Sequence, residues 1–353
     1  MNVSIKISAL LIITAGITII VITTITYVFI NNSIQDRITD TSNNNSLIVT
    51  KILNDMQAKA AQIAVLIASN DKVRSAYLID NDSLGLVQLK RDFLPVIDIL
   101  KETADSKKIE IHFHKPPAKS FLRVWTDKRG DDLSKFRATI LKVYETKKVV
   151  QGIELGVGGF AIRGIAPIIV DGKYLGSCEM IYNPEDVLKF IATDTNNTGA
   201  VFLVDQIKAE KLFEKSLIDK NCDFNSNGYF ISKATSSWFD SKKNLDVQFF
   251  KNLNPSNVSI LTENGLSLTT IPINDFSGDL AGYFTFYQKI GDDLNKLYSQ
   301  ITWLFIVFCA TLTVLNISML FVFRKIIIKP IKTATEVAKK VASGDFKSLK
   351  ELI

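Results

Sequence analysis

Two long apolar stretches without a single charge constrain this chain more than any other feature. Ile7 to Ile30 (ISALLIITAGITIIVITTITYVFI) and Ile301 to Phe323 (ITWLFIVFCATLTVLNISMLFVF) each carry no Asp, Glu, Lys or Arg. At 1.5 Å of rise per residue, about 20 such residues as helix cross a hydrocarbon core of roughly 30 Å. Both stretches therefore predict membrane-spanning helices, in keeping with a mean hydropathy of +0.17. A cleaved signal peptide is the competing reading of the first, but its apolar run is too long and no small-x-small site follows. Lys6 precedes the first span, while Arg324, Lys325, Lys329 and Lys332 crowd the end of the second. By the positive-inside rule both termini are cytoplasmic and residues 31–300 lie outside.

The organisation that follows is a cytoplasmic N-terminus (1–6), a first span (7–30), an outer region (31–300), a second span (301–323) and a cytoplasmic tail (324–353). The formal charge of +6 is modest, and part of it is the juxtamembrane cluster, which suits anionic membrane lipid. No zinc-finger, helix-turn-helix or aromatic-basic pattern is present, so nucleic acid is not an expected partner. Of three cysteines, Cys309 lies in the second span, which leaves Cys178 and Cys222 as the pair a disulfide would join. Sequence does not test that geometry.

Within the outer region a stem helix is expected over 34–79. Ile48, Ile52, Met56, Ala60, Ile63 and Ile67 step by four or three and make one apolar stripe. Such a stem can simply pack, or can join two copies as a homodimer; the two readings are compatible. A second amphipathic helix follows from about Leu84 to Ala104. The pattern then turns to period two: in IEIHFH, Ile109, Ile111 and Phe113 share one face, and Glu110, His112 and His114 the other. A His-x-His pair can bind metal, but no further ligand has a recognisable spacing, so hydrogen bonding inside the fold is expected and no metal or other cofactor is assigned.

Pro116-Pro117 interrupts that strand and SFLRVWT resumes it, with Phe121, Arg123 and Trp125 expected on one face. A guanidinium between aromatics suits a pocket for a carboxylate, an amine or an aromatic ligand. Pairing with Asp131, Asp132 or Glu179 is the structural alternative. Gly130-Asp131-Asp132 reads as the start of a helix with an Asp N-cap and Leu133, Phe136, Ile140 and Val143 or Tyr144 as its buried stripe. Arg137 lies beside that stripe.

Gln151 to Tyr182 then predicts two strands hinged at Asp171-Gly172. Arg163 in the first arm and Glu179 in the second are charges among small and apolar neighbours, and buried charges need partners. A weaker copy occurs about 105 residues later, where LSLTTIPINDFSGDLAGYFTFYQ aligns Pro272-Ile273 with Pro167-Ile168. Leu268 or Thr269 stands there in place of Arg163 and Thr285 in place of Glu179, which assigns ligand chemistry to the first copy and transmission to the second.

Two stretches resemble known families. Beyond the second span, Pro330-Ile331, Glu336 and Ala342-Ser343-Gly344-Asp345-Phe346 resemble the first half of a HAMP linker, which implies a signal-relay role for Pro330 and Glu336. The outer region is similar to the double Cache sensory domain of bacterial chemoreceptors and sensor kinases, through HFHKPPAKSFLRVW (His112 to Trp125), GDDLSKFR (Gly130 to Arg137) and Gly152 to Glu179. That resemblance implies an α+β fold of two stacked PAS-like modules on a long N-terminal helix, flanked by transmembrane helices in a bacterial plasma membrane. The distal module is taken as about 80–195 and the proximal one as about 196–290. It further implies that Arg123, Trp125, Arg137, Arg163 and Glu179 line a site for a small-molecule ligand, an anion being one class the arginines suit; an amino-acid signature does not map onto these positions. No set of residues has catalytic spacing, so no enzyme activity is expected of this chain. The function implied is a transmembrane receptor, with chemotaxis favoured as output over a histidine kinase or cyclase, or over a ligand-free partner subunit.

Overall fold

The computed structural model describes residues 3–103, 110–156, 159–183, 187–188, 199–212, 215, 229–234, 259–263, 266–289 and 291–343. It falls into two units, Met1–Arg37 with Gly291–Ile353, and Ile38–Ile290.

The first unit is helical. Helix α1 (Val3–Ala68) begins in it, and α6 (Gly291–Phe323) passes through a π-helical turn at Arg324–Ile328 into α7 (Lys329–Ala342). Two helices are long and apolar enough to cross a membrane. Their large apolar side chains, such as Ile20, Phe29, Trp303 and Leu304, are exposed. Hydroxyls in the apolar runs turn back onto their own helix, as in Thr18 to the Thr14 carbonyl at 2.8 Å and Thr313 to the Cys309 carbonyl at 2.8 Å. A polar group in lipid is best satisfied internally in this way. Pro330 opens α7, where its missing N–H costs nothing, and Glu336 is exposed on the same helix. Gly344, Asp345 and Phe346 of the HAMP-like turn lie outside the described residues.

The second unit holds two five-stranded antiparallel sheets of one topology. The first, β2-β1-β5-β4-β3, is built from β1 (Glu110–Lys115), β2 (Lys119–Arg123), β3 (Val150–Gly156), β4 (Gly159–Val170) and β5 (Lys173–Tyr182). The second, β7-β6-β10-β9-β8, comprises β6 (Gly199–Asp205), β7 (Tyr229–Ala234), β8 (Ser259–Glu263), β9 (Leu266–Asn274) and β10 (Leu280–Lys289). The repeat read from the Pro-Ile cores is thus a repeat of topology. Its register also resolves which residue answers Arg163. Ile165 pairs with Glu179 in the first sheet and Thr270 with Thr285 in the second, so the counterpart of Arg163 is Leu268. The β4–β5 turn forms as expected, with Asp171 and Gly172 both at positive φ, the twist-matched form of a two-residue hairpin.

The helix expected over 34–79 is two helices. Helix α1 ends at Ala68, and the Asn70 side chain accepts from the Lys72 N–H to open α2 (Asp71–Leu78). The buried stripe is also shifted from the one expected: it runs Val49, Leu53, Met56, Ala60, Ala64 and Ile67, while Ile48 is 38 % exposed. Only the packing partner fixes the phase of such a stripe, because Ile48 and Val49 are equally apolar. Helix α3 (Asp82–Thr103) lays Leu86, Leu89, Phe93 and Ile97 into the same core.

Along α1, Val49, Leu53 and Met56 pack in a core with Ile271, Ile273 and Phe284 of the second sheet and with Ile153, Phe160 and Ile162 of the first. Ala60, Ala64 and Ile67 pack farther along on Ile111, Phe113, Ile168 and Met180 of the first sheet. Small residues let the helix lie close on β4: a Cβ at Gly164 would stand 1.9 Å from the Ala61 backbone nitrogen. Cys178 is a free, buried thiol that donates to the Ala64 carbonyl at 3.2 Å; Cys222 lies outside the described residues.

Candidate functional site

The side of the first sheet turned away from α1 carries the polar residues. Strand alternation puts Ser177 and Glu179 of β5, Arg163 of β4, Glu154 of β3 and the two histidines of β1 together. Helix α4 (Ala138–Thr146) and the loop before it bring Arg137 over them.

The loop differs from the expected helix. Residues 131–137 are turns, and α4 begins only at Ala138. Asp132 accepts from the Ser134 N–H at 2.9 Å as a turn cap, and Asp131 is drawn to Arg123. The cap of α4 comes from another element altogether: Glu154 Oε1 on β3 accepts from the Thr139 N–H at 2.8 Å. A carboxylate at a helix N-terminus meets both free N–H groups and the positive end of the dipole. Leu133, Ile140 and Val143 are buried as expected, but Phe136 is 38 % exposed and lines the cavity described below.

Arg137 is 4 % exposed and fully engaged. Its Nε donates to Glu154 Oε2 at 2.8 Å, its Nη1 to Glu179 Oε1 at 3.1 Å, and its Nη2 to Glu179 Oε2. Arg163 donates from Nη1 to Glu179 Oε2 at 3.3 Å and keeps its Nε 3.4 Å from Glu154 Oε2. Two guanidinium groups and two carboxylates make a buried quartet with no net charge. Burial alone would raise the Glu179 pKa, but Arg137 and Arg163 hold it well below the usual carboxylate range. Burial works to lower the Arg137 pKa, yet Glu179 and Glu154 raise it, while Arg163 is lowered by burial and by the neighbouring Arg137.

The histidines complete the cluster. His112 Nδ1 lies 3.0 Å from Glu179 Oε1 and its Nε2 2.8 Å from Ser120 Oγ; His114 Nδ1 lies 3.0 Å from Ser177 Oγ. Burial pushes both imidazoles below their ordinary pKa, and each is held there as the neutral form. The ligand atoms of His112, His114 and Glu179 come within 4.8 Å of one another. A divalent cation would nevertheless sit beside two guanidinium groups and compete for a carboxylate they already hold, so this trio suits hydrogen bonding.

Arg123 and Trp125 stand at the rim. Arg123 makes a bidentate pair with Asp131 at 2.8 and 2.7 Å and donates to the Lys128 carbonyl at 2.9 Å, and this holds the Asp131 pKa down to about 2. Both sequence alternatives for Arg123 are met, since it pins the loop and still lines the cavity. Phe121 does not share its face. The β1–β2 register pairs Phe113 with Leu122 and His114 with Ser120, so Phe121 is the extra residue of a bulge. It turns to the helix side, 5.2 Å from the Tyr77 ring. Trp125 lies past the end of β2 and is 42 % exposed.

Together these residues floor and edge a cavity of about 650 Å³, with Trp125, Leu133, Phe136, Phe160, Ala161 and Ile181 as apolar wall. All of Arg123, Trp125, Arg137 and Arg163 line it; Glu179 lies beneath, fully buried. Sequence reasoning missed Glu154, Ser120 and Ser177. Glu154 carried a usable signal, a charge within an apolar strand like Arg163 and Glu179. In the second sheet the position of Glu179 is taken by Thr285, whose hydroxyl lies 3.0 Å from that of Thr270.

Two modules of one topology on a shared helix, with a polar cavity in the first, define a double sensory domain. The chain belongs to the dCache_3 family, described as the double sensory domain of two-component sensor kinases, which matches residues 35–223. Among solved structures, it is similar to the ligand-binding domain of the Campylobacter jejuni chemoreceptor Tlp3 in complex with L-valine (14% identity, TM-score 0.42, covering 75% of this chain and 96% of that one). It is also similar to the periplasmic domain of Vibrio cholerae LuxQ (12% identity, TM-score 0.41, covering 70% and 99%). No curated protein matches the sequence.

Proposed function

We propose that the chain is the sensory and membrane part of a transmembrane receptor whose first module binds a small extracytoplasmic solute. One observation carries this reading: a cavity of about 650 Å³ is floored by a buried, charge-balanced quartet. Buried ionic clusters are costly compared with apolar packing, and clusters of perturbed groups at a cavity are characteristic of binding sites. The first module is then the membrane-distal one, since it packs on the later residues of α1.

Transmission runs through the second module. Phe276, between β9 and β10, donates its N–H to the Ile153 carbonyl at 2.7 Å, one residue from Glu154, and its ring covers Gly152. Strand β10 starts beside this contact and leads at Gly291 into α6. A ligand that binds two arrangements of the quartet unequally can bias this connection. From α6 the signal passes through Pro330 and Glu336 of a HAMP-like linker to a cytoplasmic output. Chemotaxis is the output favoured by the order of stem, double module and linker, while the family description favours a sensor kinase. Exposed Leu66, Val65 and Val149 edge an apolar groove along α1, which supports a homodimer through the stem.

The test uses the full chain in lipid nanodiscs, screened by thermal shift against small acids, amines, amides and sugars. A saturable shift that Glu154→Gln or Arg163→Gln weakens is expected. Binding unaffected by both substitutions would move the site elsewhere. Protease protection in spheroplasts checks orientation: cleavage at Lys339 with the outer region untouched would reverse the topology and end the receptor reading.

A further inference from the structure

The three arginines of the cavity are not equivalent as ligand donors. Arg123 and Arg137 each make three hydrogen bonds, in both cases with a bidentate carboxylate. Arg163 makes a single one, from Nη1 at 3.3 Å. Its Nε is buried without a hydrogen-bond partner among the described residues. Its Nη2 makes no hydrogen bond among them either, and lies beside Gly156, 3.8 Å from where a Cβ would stand. Nε and Nη2 form one edge of the guanidinium plane, the edge that presents two parallel N–H bonds to a planar acceptor. A cation 8 % exposed that keeps such an edge open toward a cavity is provided for, in chemical terms, by an incoming oxyanion.

We propose, on the reading that this cavity is the sensory site, that its ligand is a small monocarboxylate with an apolar or aromatic body, held by Arg163 through Nη2 and Nε. The planar two-oxygen head matches the open edge. A single negative charge is what the site accommodates, because the quartet beneath is already neutral and Glu110 and Asp132 on the wall repel a second one, with only Lys128 to offset them. The body lies against Trp125, Leu133, Phe136, Phe160 and Ile181. Arg123 stays with Asp131 and sets the rim.

The experiment titrates the full chain in nanodiscs with sodium benzoate, phenylacetate and butyrate, against benzamide, benzylamine and inorganic phosphate, following Trp fluorescence and thermal unfolding. The carboxylates are expected to bind saturably and the amide, amine and phosphate not to. Arg163→Gln should weaken carboxylate binding by about tenfold to a hundredfold, the loss of a charge-assisted bidentate contact. If that variant unfolds, Gly156→Val gives the same reading, since its methyl groups cover Nη2 without touching the quartet. Binding of the amide, amine or phosphate that Gly156→Val and Arg163→Gln leave unchanged would overturn the carboxylate assignment and keep the sensory reading. Failure of every probe class to bind would overturn both.

Discussion

Replacing Arg137 by methionine tests whether the quartet is the electrostatic keystone of the first module. The side chain is 5 % exposed and holds Glu179 from two nitrogens and Glu154 from a third. Its removal turns a neutral cluster into one with a net negative charge, and Arg163, at 3.3 and 3.4 Å, is already committed to the same two carboxylates. Stripping one partner from a buried ion pair typically costs about 3–5 kcal/mol. For a unit of this size that corresponds to a fall in the unfolding midpoint of about 6–20 °C. The control is Arg123→Met, whose partner Asp131 has a side chain 32 % exposed; a partly solvated pair of this kind is worth about 1 kcal/mol or less. The midpoint is read by Trp fluorescence and circular dichroism on the full chain in nanodiscs at neutral pH. The deficit of Arg137→Met should shrink on acidification, because Glu179, freed of its nearest cation, takes up a proton that the parent protein refuses. Equal losses from the two substitutions, or a loss for Arg137→Met that does not change with pH, would refute the reasoning.

Three further outcomes follow from the same geometry. The folded-state pKa values of His112 and His114 lie below the ordinary 6.5, so the unfolded chain binds more protons as pH falls. Stability should therefore be full above about pH 7 and decline on acidification through 6.5 toward the folded values, and His112→Asn with His114→Asn should flatten a pH titration of the unfolding midpoint in that window. Gly164→Ala should cost about 3 kcal/mol or more in chemical unfolding, since its methyl would enter the α1 backbone; Gly130→Ala, with open space but a φ of +84°, should cost only about 1 kcal/mol. Cys178, whose thiol pKa is pushed up by burial, should resist iodoacetamide until the first module unfolds, as followed by mass spectrometry.

The alternation of β1, β4 and β5, the Asp171-Gly172 hairpin and the repeated Pro-Ile cores were legible because each is written in neighbouring residues. So was the need for partners at Arg163 and Glu179, since a charge in an apolar strand is conspicuous whatever surrounds it. Other features were hidden by their length scale. One bulged residue, Phe121, reverses a face without any mark in local composition. The start of α4 is set by Glu154, which lies beyond the helix in sequence and caps it from β3. On α1, adjacent Ile48 and Val49 are chemically alike, and only the sheets decide which is buried.

Taken alone, the order of residues determined that two apolar helices bracket a duplicated α+β region, because hydropathy and strand period are properties of short windows. The tertiary structure decided which charges meet. Arg137, Glu154, Arg163 and Glu179 come from a loop and three strands, and their partnership depends on register and helix placement. That same arrangement leaves one edge of Arg163 open to the cavity, a distinction among three arginines that no local pattern carries.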